Sequence, residues 1–388
     1  MDQTFSFGVQ GDSHPDRPKS LYNEALYQLN IDNVAANQPD LFFMLGDDFS
    51  IEDLISSNTI NQDNVNDIYA AQREYLKGAM NNTALYLVNG HHEQAARYIY
   101  DGNFDYDENY SDLANAPIYA TNARNYYYSL PAPNDFYSGD KTQLENIGFL
   151  RDYYAWQWGN ALFVTIDPYW HSPVVVDSGI PPLYKKESDP WAITMGDEQY
   201  QWLKKTLANS TAKYKFVFAH HVNGRGRGAA TIVHSAEWGG YDKNGKNYEF
   251  SEYRPNWDLP IHQLMVKNNV TIFFQGHDHV YSKEIVDGVI YQSLPSPADN
   301  SEDSWLKYAH YYAPDSIALP NAKYDPNLSV ILPPSGHLNV IVSPDNVTVD
   351  YVSSVLPEDE TDNLKNGDII YSYDVNEQSL NAPELNGL

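Results

Sequence analysis

The chain has no cysteine. That excludes a disulfide framework and any thiolate metal site, so a bound metal would need Asp, Glu, His, Asn or backbone oxygen. Zero cysteine also suits a periplasmic or extracellular protein, which is the expected location. Basic residues are scarce: 24 Lys and Arg stand against 52 Asp and Glu, a formal net charge of −28. This balance argues against a basic stripe for long nucleic acid. Neither end carries a signal-peptide pattern, and no apolar run is long enough to span a membrane. There is no internal repeat and no clean linker. What remains is a 388-residue chain, 42% hydrophobic, with 32 Tyr, 14 Phe and 8 Trp. That is enough for a sizeable core in one large domain or two ordinary ones.

Residues 4–10 (TFSFGVQ) alternate as a strand does. Leu21, Ala25, Leu29 and Val34 are spaced for an amphipathic helix over 20–37, with Ser20 as N-cap and Pro39 at the exit. A buried strand at 41–46, a helix at 63–80 and a strand at 84–89 follow. This β-α-β-α-β start predicts parallel pairing with right-handed crossovers. Residues 94–150 are rich in Tyr, Asn and Asp, with weak periodicity, and read as a long insertion. Strand 161–166, helix 197–209 and strand 214–219 come next, then a second irregular stretch at 222–257. A helix over 258–269 leads into strand 271–275. KEIVDGVIYQ reads as a hairpin turning at Asp287-Gly288, and a second hairpin spans 337–352. The expected organisation is one catalytic domain, 1–356, with insertions at about 94–150 and 222–257. An acidic extension, 357–388, would carry one strand near Ile369–Tyr373.

Five apolar runs end in Gly or Ala followed at once by an acid or a histidine: VQGDSH, FMLGDD, LVNGHHE, FVFAH and FFQGHDH. They place Asp12, His14, Asp47, His91, His92, His220, His277 and His279 at the C-terminal ends of strands. In open α/β sheets that edge is where ligands bind. Packing alone does not explain five Asp- and His-rich strand ends. Two carboxylates against two divalent ions would leave a net positive pocket within an acidic envelope, suited to a phosphate oxyanion.

The ordered set GDSH, GDD, GHHE, a strand ending in His220, and GHDH resembles the calcineurin-like metallophosphoesterase superfamily. YYAW followed by a Trp-Gly strand, and the EWGG loop, resemble its secreted bacterial branch related to purple acid phosphatases. The match spans about residues 5–295. The resemblance implies an α/β fold: a two-sheet β-sandwich flanked by helices on both faces, in four layers. It implies two divalent or trivalent transition metal ions (zinc, iron or manganese) about 3.5 Å apart. The first would take Asp12, His14, Asp47 and His279; the second Asp47, His91, His220 and His277. The family has Asn at the place of His91. Asn Oδ1 and His Nδ1 are each two bonds from Cβ, so His91 is expected to ligate through Nδ1. Swapping oxygen for imidazole favours zinc or iron over magnesium.

The function so implied is a metal-dependent phosphoric ester hydrolase, with a metal-bound hydroxide attacking phosphorus. A small phosphomonoester is the favoured substrate. His92 occupies the place of the histidine that protonates the leaving oxygen. Its usual carboxylate partner, three residues after the bridging Asp, is missing because that position is Ser50, leaving Asp48 or Glu93 to substitute. Arg124, His221, Arg225 and Arg227 are candidate substrate contacts, the last two in the run NGRGRG. Insertion aromatics, among them Tyr126, Tyr169 and Trp238, are candidates to wall the cleft. A phosphodiesterase with the same site is the first alternative. A non-catalytic metal- or phosphate-binding protein, with His91 disabling the second metal, is the other. A carbohydrate-binding surface explains the tyrosines but not the Asp/His set. No protein partner is inferred.

Overall fold

Strands buried on both faces need no polar alternation, and LFFML at 41–45 has none. A computed structural model of the chain describes residues 3–18, 20–102, 112–177, 180, 187, 189–222, 227–301, 330–332 and 335–375. The first part runs β1 (Phe5–Gln10), α1 (Glu24–Asn37), β2 (Leu41–Met44), α2 (Glu52–Ser56), α3 (Gln62–Leu76), β3 (Ala84–Leu87), α4 (Arg97–Tyr100) and α5 (Ala116–Tyr127). The middle runs β4 (Ser138–Gly139), β5 (Gln143–Leu144), β6 (Gly148–Phe149), β7 (Tyr154–Trp158), β8 (Ala161–Thr165), α6 (Asp197–Asn209) and β9 (Tyr214–Ala219). Then come α7 (Ala236–Gly239), α8 (Phe250–Tyr253), α9 (Ile261–Lys267), β10 (Ile272–Gln275), β11 (Tyr281–Val286) and β12 (Val289–Ser293). The last part is β13 (Val330–Leu332), β14 (Gly336–Val342), β15 (Val347–Ser353) and β16 (Ile369–Val375).

Two mixed sheets form. One has the order β16-β15-β14-β1-β2-β3, the other β13-β11-β12-β10-β9-β8-β7-β4. As the opening alternation predicts, β1, β2 and β3 pair in parallel. β8, β9, β10 and β12 do the same in the second sheet. The acidic extension contributes β16, which edges the first sheet against β15.

Strand parity builds the layers. Phe7 and Phe43 meet Phe163, Phe216, Phe218 and Phe274 in the aromatic core between the sheets. Phe43 stacks on Phe218 with centroids 4.1 Å apart. The alternate residues, Phe42 and Met44, join Tyr27, Ile31, Val34, Val65 and Tyr69 of α1 and α3 in a core on the outer face of the first sheet. Val217 and Phe273 do the same with Leu203, Leu207, Leu264 and Met265 of α6 and α9 on the second. The result is the expected four-layer sandwich. Among the described residues, no helix is long and apolar enough to cross a membrane.

Two local expectations change. The first helix begins at Glu24 rather than 20, because Asn23, not Ser20, accepts the Leu26 N–H. The 94–150 insertion is also less irregular than its sequence suggests. It contains α5, whose Ala116, Ala120 and Ala123 are buried in the same core as Val65 and Tyr69 of α3. Tyr128, just past α5, donates to the Tyr69 carbonyl. An alanine face gives little hydrophobic contrast, so its periodicity is faint in the sequence.

Candidate metal centre

The parallel strands of both sheets deliver their C-terminal ends to one edge. Asp12 follows β1, Asp47 follows β2, His91 and His92 follow β3, His220 follows β9, and His277 and His279 follow β10. All seven expected ligands, Asp12, His14, Asp47, His91, His220, His277 and His279, are buried there, with His92 beside them. Ligand atoms of Asp47, His91, His220 and His277 lie within 4.8 Å of one another, and so do those of Asp12, His14 and His279. His14 of one set and Asp47 of the other form a further such group with His92, so the two sets adjoin through His14 and Asp47.

The backbone bends sharply to do this. Asp12 (φ 62°), His14 (47°), Asp47 (60°), His277 (65°) and His279 (56°) all occupy the left-handed region. Such residues cost about 1–3 kcal/mol each and persist where the surroundings over-determine them. The preceding glycines serve close approach. A Cβ on Gly46, itself at φ 96°, would sit 2.3 Å from the Gly90 nitrogen, and one on Gly276 would sit 2.5 Å from Asp12 Oδ2. Glycine is thus sterically required at Gly46, Gly90 and Gly276, whereas a Cβ on Gly11 would come no closer than 3.2 Å to Leu45.

Each of the two central carboxylates is half-spent. Asp12 Oδ2 accepts the His277 N–H at 2.7 Å, and Asp47 Oδ1 accepts the His92 N–H at 3.0 Å. Their other oxygens, Asp12 Oδ1 and Asp47 Oδ2, are sealed from solvent without a hydrogen-bond partner. Asp47 Oδ2 lies 3.1 Å from both His91 Nδ1 and His220 Nε2, and Asp12 Oδ1 lies 3.3 Å from His279 Nε2. His220 Nδ1 is 2.7 Å from the Leu45 carbonyl, which fixes its tautomer and leaves Nε2 facing the cluster. His91 turns Nδ1 inward, as the Asn-like geometry requires. Orphaned buried oxygens ringed by imidazoles fit cations, and a buried polar atom without a partner is otherwise costly.

Protonation follows the same logic. Burial pushes Asp47 up, but His220, His91 and His92 together hold it well below the usual carboxylate range. Asp12 is likewise held low against burial, chiefly by His279. Burial works against a proton on His220, yet Asp47 and Asp12 raise it to about 10. Burial, with smaller effects from neighbouring charges, takes His279 down to about 4 and His277 well below its ordinary value. Without metal, protons on a few imidazoles compensate two carboxylates. Cations taking their place would release those protons.

The acid expected to support His92 is neither Asp48 nor Glu93. Glu52, in the first turn of α2, brings Oε2 to 2.7 Å from His92 Nδ1. That leaves His92 Nε2 facing the cluster, 3.7 Å from Asp47 Oδ2. Glu93 accepts the backbone N–H groups of Asp47, Asp48, Phe49 and Gly90 and so anchors the β2 turn to the β3 turn. Asp48 accepts the Ser13 N–H, and burial with Glu93 and Asp12 nearby raises its carboxyl well above the usual range. Glu52 escaped the sequence reading because it stands five residues past Asp47 rather than three.

The candidate substrate contacts fare unevenly. Arg124 is buried and donates to the Arg151 and Leu87 carbonyls, so it braces backbone instead of reaching the cluster. Arg227 donates to the His277 carbonyl and faces Asp278. His221 lies beside the cluster, its Nδ1 2.7 Å from the Tyr169 hydroxyl, and groups with Asp177 and His277. Arg225 lies outside the described residues. A cation the sequence reading passed over, Arg17, places Nη2 3.1 Å from His92 Nε2 and 3.3 Å from Glu52 Oε2. Its side chain is 34% exposed, so it faces both the histidine and solvent. Its signal was a lone cation three residues after His14. Of the aromatics, Tyr169 reaches the cluster's margin through His221, Trp238 packs on Phe273, and Tyr126 is 79% exposed.

No family model and no curated protein matches this sequence. Among solved structures, the chain is similar to a purple acid phosphatase from yellow lupin (Lupinus luteus) seeds. The two are 14% identical with a TM-score of 0.54, over 98% of this chain and 55% of that one. It is also similar to PhoD, at 15% identity and a TM-score of 0.53, over 90% of this chain and 66% of that one. The chain therefore spans under two thirds of either structure's length. These likenesses show the fold, a metallophosphoesterase-like sandwich, with the buried Asp/His clusters at its strand ends.

Proposed function

We propose that the chain is a dinuclear metal-dependent phosphoric ester hydrolase acting on small phosphate esters, with monoesters favoured. The observation that carries this is two buried donor sets adjoining through His14 and Asp47, next to an imidazole held by its own carboxylate. Asp12, His14, Asp47 and His279 would hold one cation; Asp47, His91, His220 and His277 the other. With imidazole outnumbering carboxylate, zinc, iron or manganese suits the set better than magnesium. Bound cations supply Lewis-acid polarisation of phosphoryl oxygens and a water acidic enough to ionise near neutrality.

The rest is the work of side chains. His92 Nε2 faces the cluster and gives its proton to the leaving oxygen. With Nδ1–H turned to Glu52, only the imidazolium form carries a proton on Nε2, and burial and nearby His91 oppose that form, so the proton must be taken up before it is given. Asp47 pulls the other way, and Glu52 across Nδ1 fixes the ring's orientation. Arg17 supplies a fixed positive charge beside His92, suited to the second negative charge that a monoester carries and a diester lacks. His221, held by Tyr169, borders the same cleft.

The test is elemental analysis of the purified chain, paired with hydrolysis of an aryl phosphate and its bis-aryl diester. Two metals per chain with faster turnover of the monoester are expected. Faster turnover of the diester would reverse the substrate preference. One metal or none, with no turnover after zinc, manganese and iron are each restored, would leave a non-catalytic binding protein.

A further inference from the structure

A second set of ligand-type side chains stands on the same edge of the larger sheet, nearer its β4 end. Asp140 follows β4, Asp152 precedes β7, and His171 lies in the loop after β8. A ligand atom from each lies within 4.8 Å of the others. Asp140 and Asp152 are buried, and the His171 side chain is 12% exposed. Asp140 Oδ1 accepts the Thr142 N–H at 2.7 Å, and Asp152 Oδ1 accepts the Tyr153 N–H at 2.9 Å. Asp152 Oδ2 faces His171 Nε2 at 3.2 Å. Asp140 Oδ2 is sealed from solvent with no hydrogen-bond partner. The nearby Tyr153 hydroxyl, which also hydrogen-bonds Asp140, stays a phenol, through burial first and then the charges of Asp140 and Asp152.

This arrangement is unfavourable without a positive charge. Among the described residues, His171 is the one ion-pairing partner of the two carboxylates. One imidazolium cannot neutralise both, and a buried, uncompensated carboxylate is costly. Burial, with Asp140 and Asp167 close by, pushes the Asp152 carboxyl up to about 7. A divalent cation would cancel both charges and give Asp140 Oδ2 a partner. We propose that Asp140, Asp152 and His171 form a mononuclear site for a divalent cation of the zinc or manganese class, separate from the cluster around Asp47. The imidazole disfavours magnesium and calcium, which prefer all-oxygen sets.

The site has a structural consequence. His171 is two residues beyond Tyr169, whose hydroxyl meets His221. It is four beyond Asp167, which accepts from Asn89, just ahead of the Gly90-His91 turn. A cation there ties the 167–171 segment to the β4–β7 edge and steadies both contacts. It acts by holding positions and takes no part in the chemistry.

The full chain is stripped with a chelator, dialysed against Zn²⁺ and, in parallel, Mn²⁺, and its metal content compared with that of Asp140→Asn. The wild type is expected to hold one equivalent more than the variant with at least one of the two ions. Its Tm should also rise more on adding metal than that of Asp140→Asn. Because the readout is a difference, it does not depend on how many cations the Asp47 cluster holds. Equal metal content for both proteins with both ions, with a variant Tm unchanged or raised, would overturn the proposal, since removing a surplus buried charge then only relieves repulsion. His171→Gln, at a partly exposed position, is read the same way if Asp140→Asn folds poorly.

Discussion

Replacing Glu52 with Gln tests the acid assignment most directly. The change keeps the side chain's shape and its acceptor for Gln94 Nε2, which lies 2.9 Å from Oε1. It removes the negative charge 2.7 Å from His92 Nδ1. A hydrogen bond to a charged group contributes about 1.5–3 kcal/mol net. Taking about 2 kcal/mol and one decade per 1.36 kcal/mol, the protonation step should slow about 30-fold. The loss should appear only where the leaving oxygen needs a proton. The assay is kcat across a series from activated aryl phosphates to alkyl phosphates. Glu52→Gln should match the wild type to within a few-fold on the best leaving group and fall about 30-fold behind on the poorest. Its rate should therefore depend more steeply on leaving-group acidity. An equal loss across the series would refute the reasoning, because it would mean Glu52 supports the metal cluster or the fold and not proton transfer.

Arg17→Met should raise KM for a phosphomonoester about 10- to 100-fold, the worth of one charge-assisted contact, and change a diester far less; matched changes in the two would remove Arg17 from phosphate recognition. His337 offers a pH test away from the Asp47 cluster. It is buried between Asn37 and Asn30, and burial lowers it to about 3. Its folded value lies below the unfolded one of about 6.5, so the unfolded chain binds the extra proton between them. The stability it contributes, on the order of 5 kcal/mol, is therefore present above about 6.5 and lost as pH falls toward 3. His337→Asn should flatten the acid limb of Tm against pH across that window. A limb as steep as the wild type's would show that His337 does not drive it.

The local pattern of the sequence was sufficient for the scaffold and for placing the central Asp and His residues. Strand and helix periods are set by neighbours a few residues apart, and a parallel strand's C-terminal end is a place that local order defines. Hence Asp12, Asp47, His220 and His277 could be placed at one edge from the apolar runs that precede them. The orientation of His91 followed from counting bonds against the Asn that the resembling family has at that place. Tertiary structure decided what those residues touch. Glu52 reaches His92 only because α2 starts where it does, and Arg17 joins them from the turn after β1. Arg124 and Asp48 carry suitable chemistry in the sequence, yet backbone groups claim the first and burial with like charges neutralises the second. Asp140, Asp152 and His171 come from three separate segments, with no shared motif to announce them. Hydrogen bonds and burial act through space at about 3 Å, so whether a charged side chain serves chemistry or the fold is settled by non-local neighbours that the order of residues does not display.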